Sequence, residues 1–321
     1  MDGPGQTIAE RYELVRVAGS GGMATVWKAM LRGAEGFARP VCIKRIREPL
    51  SFDDDFRAMF VEEARVSASL VHPNIVQTID FGVDDERYFL VMEWVEGMPL
   101  GRFLNLLREL EEPLPWPLVA AIGIEALRGL EAAHIRVSDD GLVSPVYHRD
   151  VTPQNILLSE AGVVKLTDFG LARAMDRVRI TATNVVKGKV GYLAPELVKG
   201  CAASPQTDLF SLGVVLWQSL AGRRLYTGRT DAEVMAAARD GDIPPISEMR
   251  DDVPTRLAAT VDRALASDPG DRFESARQMG RVLARLLRPD AGQTEARHLA
   301  PWVQALMRFE KTGVRPELSS L

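Results

Sequence analysis

The chain has 321 residues, of which 46% are hydrophobic and 26% are charged, and its formal net charge is −5. This balance is typical of a globular protein, and the acidic excess argues against nucleic-acid binding as its main function. The two cysteines are not in a C-x-x-C pair, which argues against disulfides and a zinc site and favours the cytoplasm. No apolar run approaches the roughly 18 residues that cross a bilayer, and the first residues lack a signal-peptide pattern. The sequence therefore predicts a soluble cytoplasmic protein without a membrane partner.

The first hundred residues are predicted to form short strands interrupted by one helix. Glycines separate the first two strands, and Phe56–Leu70 carries apolar residues at helical spacing. The predicted strands are Tyr12–Val17, Ala24–Ala29, Val41–Ile46, Ile75–Phe81 and Tyr88–Glu93.

Beyond Leu100 the pattern changes to helices. A small β-rich lobe is therefore followed by a larger helical one, and a ligand is expected in the crevice between them. The predicted helices are Leu100–Leu110, Trp116–His134, Thr207–Ala221, Asp231–Asp240, Pro254–Ser267, Ser275–Leu287 and, in the tail, Glu295–Phe309.

A glycine-rich segment, Ala18-Gly19-Ser20-Gly21-Gly22, lies between the first two predicted strands. Glycines let backbone N–H groups approach phosphate oxygens closely, because no Cβ intervenes. A dinucleotide-binding turn would lead into a helix, and here a strand follows. The signal is weak by itself, since an ordinary hairpin turn would have the same composition.

Lys44 follows the apolar run Val41-Cys42-Ile43 on the third predicted strand, and Glu63 lies inside the helix that follows. A lysine at the end of a strand is usually just solvated. An ion pair with Glu63 would instead hold the ammonium against the α- and β-phosphates of a nucleotide.

The segment His148-Arg149-Asp150-Val151-Thr152-Pro153-Gln154-Asn155 is followed by Asp168-Phe169-Gly170. Phosphoryl transfer needs a carboxylate that orients the attacking hydroxyl and accepts its proton, a role that suits Asp150. It also needs oxygen ligands for magnesium, which suits Asn155 and Asp168. Two unrelated acidic surface loops are the alternative, which the order and spacing disfavour.

Three charged residues further along the chain are interpreted as structural. They are Glu196 in Ala-Pro-Glu, Asp208 in Asp-Leu-Phe-Ser-Leu-Gly and Arg272 in Asp-Arg-Phe. Glu196 and Arg272 are predicted to form a buried ion pair, and loss of either partner would leave a buried charge alone.

Together these motifs resemble the signature of protein kinases from about Tyr12 to Leu287, and Tyr-Leu-Ala-Pro-Glu from Tyr192 is similar to bacterial serine/threonine kinases of the eukaryotic-like type. The resemblance implies a two-lobed α+β fold. The small β-rich N-lobe, with one main helix, would span 12–95 and the mainly helical C-lobe 96–287, with an N-terminal extension (1–11) and a C-terminal tail (288–321).

The resemblance also implies the substrates and the nucleotide site. ATP with Mg²⁺ or Mn²⁺ would donate a phosphoryl group to serine or threonine in protein substrates, and a homodimer is a candidate arrangement for autophosphorylation. Met92 would be the gatekeeper, and Glu93 and Val95 would offer backbone groups to adenine. The ring would lie between the side chains of Val26, Cys42 and Leu157.

The chain departs from the family at three positions. Thr152 stands where serine/threonine kinases usually have a lysine, and Lys189 where they usually have a threonine. We hypothesise that Lys189 supplies the missing cation; the alternative is a surface residue in a slow enzyme. Ala24, in place of the third glycine of the loop, is a mild change.

Regulation and two other functions remain alternatives. Thr181 and Thr183 could receive a phosphate that pairs with Arg149, or they could be ordinary loop residues.

A nucleotide-binding pseudokinase scaffold would share the fold, and only Thr152 favours it. A small-molecule phosphotransferase is disfavoured by the segment through Ala-Pro-Glu. Tyrosine-directed kinases also lack the lysine at position 152, but Pro153 favours serine/threonine.

Overall fold

The computed structural model describes residues 2–138, 140–169, 190–228, 230, 233–234, 236–237, 243–287, 298–318 and 321. Its strands are β1 (Thr7–Ile8), β2 (Tyr12–Ser20), β3 (Ala24–Arg32), β4 (Ala38–Ile46), β5 (Thr78–Asp84), β6 (Arg87–Glu93), β7 (Gly97–Pro99), β8 (Ile156–Ser159) and β9 (Val164–Leu166). Its α-helices are α1 (Asp54–Ala68), α2 (Leu100–Glu109), α3 (Trp116–His134), α4 (Pro195–Val198), α5 (Pro205–Ala221), α6 (Thr255–Ala264), α7 (Ala276–Leu287) and α8 (Leu299–Thr312).

The small lobe is a six-stranded antiparallel sheet in the order β1-β2-β3-β4-β6-β5, with α1 packed against β5 and β6. In this register Val26 on β3 lies opposite Lys44 on β4, and Cys42 lies opposite Met92 on β6. Because alternate residues of a strand share a face, Cys42 and Lys44 lie on the same side of β4.

Helix α1 begins directly after its N-cap residue, Asp53. The Asp53 carboxylate caps the helix by accepting hydrogen bonds from the N–H groups of Asp55 (3.0 Å) and Phe56 (3.2 Å). The negative charges of Asp54 and Asp55 in the first turn interact favourably with the helix dipole. The helix then buries one face, including Phe60 and Glu63, against the sheet. The position of the helix along the sheet therefore sets the position of Glu63.

The large lobe is built around two largely buried helices, α3 and α5. The predicted bounds of α3 are confirmed, and α5 begins two residues before its prediction because Ser204 and Thr207 form a capping box ahead of it. A small sheet, β7-β8-β9, lies at the lobe's edge and was not predicted, since its strands have only three or four residues. The helix predicted over Asp231–Asp240 lies mostly outside the described residues.

Both ends of the described chain pack on the lobes. Strand β1 pairs with β2 and buries Ile8 completely, and α8 lies against α2, β7 and β8 with Trp302 and Leu306 buried. The sequence did not indicate either contact. None of the helices in the described part of the chain combines the length and apolar character needed to span a membrane.

Candidate active site

A lysine held between two carboxylates marks the centre of the cleft. The Lys44 Nζ on β4 lies 2.5 Å from Glu63 Oε1 on α1 and 2.7 Å from Asp168 Oδ1, which follows β9. The Lys44 and Glu63 side chains are 6% and 1% exposed, whereas Asp168 is 26% exposed. Burial tends to lower the pKa of Lys44, but the negative charges of Asp168 and Glu63 outweigh it, so its pKa lies above the usual value. The ammonium therefore stays protonated.

The loop after α3 carries the second half of the site. The Asn155 Nδ2 donates to the Asp150 carbonyl (2.8 Å) and to the Asp150 Oδ2 (2.8 Å). This contact fixes the Asp150 carboxylate in one orientation. It also commits the nitrogen of the Asn155 amide, which leaves the amide oxygen as the group that could bind a cation.

Two residues of the site have left-handed backbone conformations, Arg149 with φ 63° and Asp168 with φ 62°. Such angles are strained for residues with a Cβ and persist where surrounding contacts impose them. At Arg149 the contact comes from Asp208 on α5, whose fully buried carboxylate accepts the N–H groups of Arg149 (2.7 Å) and His148 (2.8 Å). Asp208 therefore shapes the loop that presents Asp150.

Two histidines complete this support. The Nε2 of His134 at the end of α3 lies 2.8 Å from Asp208 Oδ2, and the Nε2 of His148 lies 3.0 Å from the carbonyl of Thr167, beside Asp168. The His148 ring also packs on Phe169, with centroids 4.4 Å apart. Burial tends to raise the pKa of Asp208, but the hydrogen bond from His134 and the other interactions of the carboxylate together outweigh this effect. The pKa of Asp208 therefore lies below its usual value, and the carboxylate stays ionised. Sequence reasoning assigned Asp208 a structural role and gave His148 none.

The glycine-rich segment is not all turn: Ala18, Gly19 and Ser20 end β2, and Gly21 and Gly22 begin the turn to β3. The Gly21 N–H donates to the Ala24 carbonyl at 3.0 Å, and the Arg47 N–H donates to the Met23 carbonyl at 3.0 Å. A Cβ added at Gly22 would meet no atom within 4 Å, so the outer side of the turn is open. Ala18, Ser20, Gly21 and Gly22 are exposed, and Gly19 is half-buried.

Apolar side chains from both lobes meet on the other side of Lys44. Cys42, Val95 and Leu157 all pack on the cluster that contains the buried Met92. Val26 is half-buried, and Glu93 ends β6 with its carboxylate 2.7 Å from the Lys165 ammonium. Burial raises the pKa of the Cys42 thiol to about 12, so the thiol is protonated and behaves as an apolar wall.

The donor set fits a hard cation shared with phosphate oxygens. Among the described residues, no three His, Cys, Asp or Glu side chains cluster closely enough to hold a metal ion unaided. Asn155 and Asp168 offer oxygen ligands, and magnesium typically takes one or two protein oxygens together with phosphates and water.

The predicted ion pair of the large lobe is confirmed. Arg272 donates to both carboxylate oxygens of Glu196, at 2.7 and 2.8 Å, and its side chain is fully buried. Arg272 also donates to the carbonyls of Ala266 (2.7 Å) and Gln206 (3.0 Å). The pair therefore anchors α4 to the segment before α7.

Several predicted residues cannot be placed. Gly170, Thr181, Thr183 and Lys189 all lie outside the described residues. Thr152 is described: its side chain is fully buried, and its hydroxyl has no hydrogen-bond partner among the described residues.

Sequence reasoning missed one cluster beside the site. The Glu96 carboxylate, just after β6, accepts hydrogen bonds from Lys28 Nζ on β3 and from Trp94 Nε1, each at 2.8 Å. No motif marks this cluster, because Lys28 is 68 residues away from Glu96 and reaches it only in the folded chain.

The comparisons with known proteins agree with this geometry. Residues 12–282 match the family model described as a protein kinase domain. Tyrosine-protein kinase MasK of Myxococcus xanthus is 36% identical over 310 residues, which cover 97% of this chain and 48% of MasK. Serine/threonine-protein kinase PrkC of Bacillus subtilis is 34% identical over 275 residues, 86% of this chain and 40% of PrkC.

A third relative and a solved structure extend the agreement. Serine/threonine-protein kinase PknL of Mycobacterium tuberculosis is 38% identical over 273 residues, 85% of this chain and 65% of PknL. The crystal structure of the Mycobacterium tuberculosis PknI kinase domain superimposes with a TM-score of 0.65 at 27% identity, covering 89% of this chain and 99% of that one. The chain spans about half of the length of MasK and two fifths of PrkC.

Proposed function

The chain belongs to the protein kinase family, and on that premise we propose that it transfers the γ-phosphoryl group of ATP to a serine or threonine hydroxyl of a protein. The observation that carries the proposal is the contact of Lys44 with both Glu63 and Asp168, beside an Asp150 oriented by Asn155. The family implies ATP and a divalent metal.

Each residue has a separate task in the proposed reaction. Asp150 orients the acceptor hydroxyl and takes its proton, and Lys44 binds the phosphates of ATP while Glu63 holds it in place. The glycine-rich segment of residues 18–22 covers the phosphates with backbone N–H groups. The adenine ring binds against the Met92 cluster, between the side chains of Val26, Cys42 and Leu157, with backbone groups of Glu93 and Val95 facing it.

Mg²⁺ is the metal we propose, with Mn²⁺ as a substitute, and Asn155 and Asp168 would hold it. The bound cation neutralises phosphate charge. The contribution of this chain is positional, since Asn155 is fixed by Asp150 and Asp168 by the Lys44 ammonium.

The relatives differ in the amino acid that their names say they phosphorylate, and this bears on the acceptor hydroxyl proposed for this chain. PrkC and PknL are named serine/threonine kinases, and MasK is named a tyrosine kinase. Pro153 in the catalytic loop supports serine/threonine, whereas Thr152 in place of lysine is compatible with either. Phosphoamino-acid analysis of a labelled product decides between them.

A nucleotide-binding pseudokinase scaffold is the second candidate, and Thr152 is the observation in its favour. Against it, the full set of polar groups is present: Lys44, Glu63, Asp150, Asn155 and Asp168. Autophosphorylation at Thr181 or Thr183, with a homodimer as its candidate arrangement, belongs to the proposal for the active enzyme. We also propose that the protein is cytoplasmic. Its kinase domain is proposed to span 12–287, with the small lobe over 12–95 and the large lobe over 96–287.

One experiment tests the proposal directly. The purified chain is incubated with γ-labelled ATP and Mg²⁺ beside Asp168→Asn, and phosphate is mapped by mass spectrometry. Label on serine or threonine in the parent alone supports the proposal. Label on tyrosine alone would reassign the acceptor. No label on the chain or on generic protein substrates, with thermal stabilisation by Mg-ATP, would favour the pseudokinase.

A further inference from the structure

A series of polar contacts leads from the tail helix α8 to the strand above the nucleotide site. The Gln304 Nε2 on α8 donates to the Glu160 carbonyl at 2.9 Å, in the turn between β8 and β9. The Glu160 N–H donates to the Glu96 carbonyl at 2.8 Å. The Glu96 carboxylate in turn accepts a hydrogen bond from Lys28 Nζ on β3, also at 2.8 Å. We call residues 94–96, which connect β6 to β7, the hinge.

The hinge end of this series is reinforced by an aromatic ring. The Trp94 Nε1 donates to the same Glu96 oxygen as Lys28 does. The Lys28 ammonium lies 4.8 Å from the centre of the Trp94 ring and the Arg16 guanidinium of β2 lies 5.6 Å from it, both within cation–π range. One carboxylate and one indole thus tie β2 and β3 to the hinge.

Lys28 lies on the side of β3 that faces the nucleotide site. It is two residues beyond Val26, so the two side chains share a face of the strand. Val26 lies opposite Lys44, and Lys28 lies opposite Cys42. A contact that fixes Lys28 therefore fixes the strand that covers the adenine position.

The other end of the series is fixed to the large lobe. Gly97 of β7 has φ 157°, and a Cβ there would lie 2.0 Å from the Leu158 carbonyl, so only glycine allows the hinge to approach β8 this closely. Helix α8 buries Trp302 and Leu306 against the same lobe, and its Glu310 pairs with Arg102 of α2 at 2.6 Å.

We propose that α8 braces the hinge: through Glu160 it holds Glu96 where that carboxylate binds Lys28, and so it sets lobe closure and nucleotide affinity. Lys28, Glu96 and Gln304 are positioning residues, since none is placed against the reacting atoms. The negative charge of Glu96 is kept by Lys28, whose hydrogen bond lowers the pKa of Glu96, and Lys311 of α8 adds to that effect through its charge. The link to nucleotide affinity rests on the proposed function, but the mechanical link does not.

Hydrogen exchange tests the mechanical link without any nucleotide. Gln304→Leu removes the donor to Glu160, and Leu306→Ala weakens the docking of α8. The control is Arg308→Leu, one helical turn further along α8, whose exposed side chain takes no part in the series. We expect the amides of residues 94–98 to exchange about two- to five-fold faster in Gln304→Leu, as the loss of one hydrogen bond predicts, and faster still in Leu306→Ala. Parent-like exchange of these amides in Gln304→Leu would overturn the brace.

Binding of MgADP tests the second link. Lys28→Met and Gln304→Leu should each raise the dissociation constant of MgADP about two- to five-fold, the range for one partly exposed ion pair or one hydrogen bond. Their double variant should bind no more weakly than Lys28→Met, because both act through one series of contacts. Unchanged or fully additive dissociation constants would refute the coupling. If the parent binds no MgADP, the proposed function fails, while hydrogen exchange still decides the brace.

Discussion

The Lys44 ammonium lies 2.5 Å from the Glu63 carboxylate, and both side chains are almost completely buried. The pair joins β4 to α1, so any shift of the helix along the sheet would separate the charges. Because water hardly reaches either group, the protein rather than the solvent sets the position of the ammonium.

Replacement of this lysine should remove most of the activity. We expect Lys44→Met to lower kcat about 100-fold or more, since one preorganised charge at phosphates is lost. Glu63→Gln should act mainly by raising the KM for ATP, because the ammonium remains but is less well held. Steady-state kinetics with Asp55→Asn as the control measures both, since Asp55 is an exposed carboxylate on the same helix. A parent-like Lys44→Met would exclude the assigned role.

Glu196→Gln should strongly destabilise the large lobe. It leaves the Arg272 guanidinium buried without its counter-ion, at an expected loss of about 3–5 kcal/mol in the free energy of unfolding. Urea denaturation measures this loss, and Glu274→Gln, an exposed change close to Arg272 in sequence, should leave the midpoint unaltered. A loss below about 1 kcal/mol would show that the pair is not important for stability.

The same pair should make stability depend on pH in the acid range. Burial tends to raise the pKa of Glu196, but the Arg272 hydrogen bonds outweigh it, and the pKa lies below the unfolded value of 4.5. A depressed carboxyl pKa stabilises the fold above the unfolded pKa, and this stabilisation is lost as the pH falls. The stability difference between parent and Glu196→Gln should therefore be constant near pH 7 and shrink below about pH 4.5.

The two cysteines should differ in reactivity. Burial raises the pKa of Cys42 to about 12, whereas Cys201 is exposed. Since the thiolate is the nucleophile, iodoacetamide at pH 8 should alkylate Cys201 much faster, by about 100-fold or more. Mass spectrometry of the two peptides over time gives the rates. Comparable rates would mean that the Cys42 thiol is not a closed apolar wall of the site.

The N-terminal segment should contribute to the small lobe. Arg45 is fully buried and pairs with Asp2 at 3.0 Å and with Asp84 at 2.7 Å. Asp2→Asn should reduce the free energy of unfolding by about 1–3 kcal/mol, because a buried charge loses one charged partner. Thermal denaturation compares it with Glu86→Gln, an exposed change in the β5–β6 turn. Equal melting temperatures for Asp2→Asn and the parent would contradict this.

The role of Lys189 is a hypothesis from the sequence, since this residue lies outside the described residues. If it neutralises charge at the γ-phosphate in place of the lysine missing at Thr152, Lys189→Met should lower kcat about ten-fold or more. Lys187→Met, two residues away, is the matched control. A turnover number unchanged in Lys189→Met would dispose of the relocation, leaving Lys189 a surface residue.

Motif order predicted more of the fold than of the site's surroundings. Long periodic segments were predicted well: α3 was placed at its observed bounds, and α1 within two residues at each end. The three-residue strands β7 and β9 were missed, because so few residues show no period. Lys44, Asp150 and Asp168 could be chosen because phosphoryl transfer restricts the residue types at those spacings.

What the sequence determined by itself was the family, the order of the elements and the chemical groups of the cleft. Only the tertiary structure decided which groups meet. Asp208 accepts a hydrogen bond from the N–H of the strained Arg149. Arg45 forms an ion pair with Asp2, and Lys28 forms one with Glu96 of the hinge. The partners of these contacts lie 43 to 68 positions apart in the sequence, and no periodicity links one partner to the other. Such pairs form only when hydrophobic burial brings distant elements together, so burial and packing, not local pattern, select them.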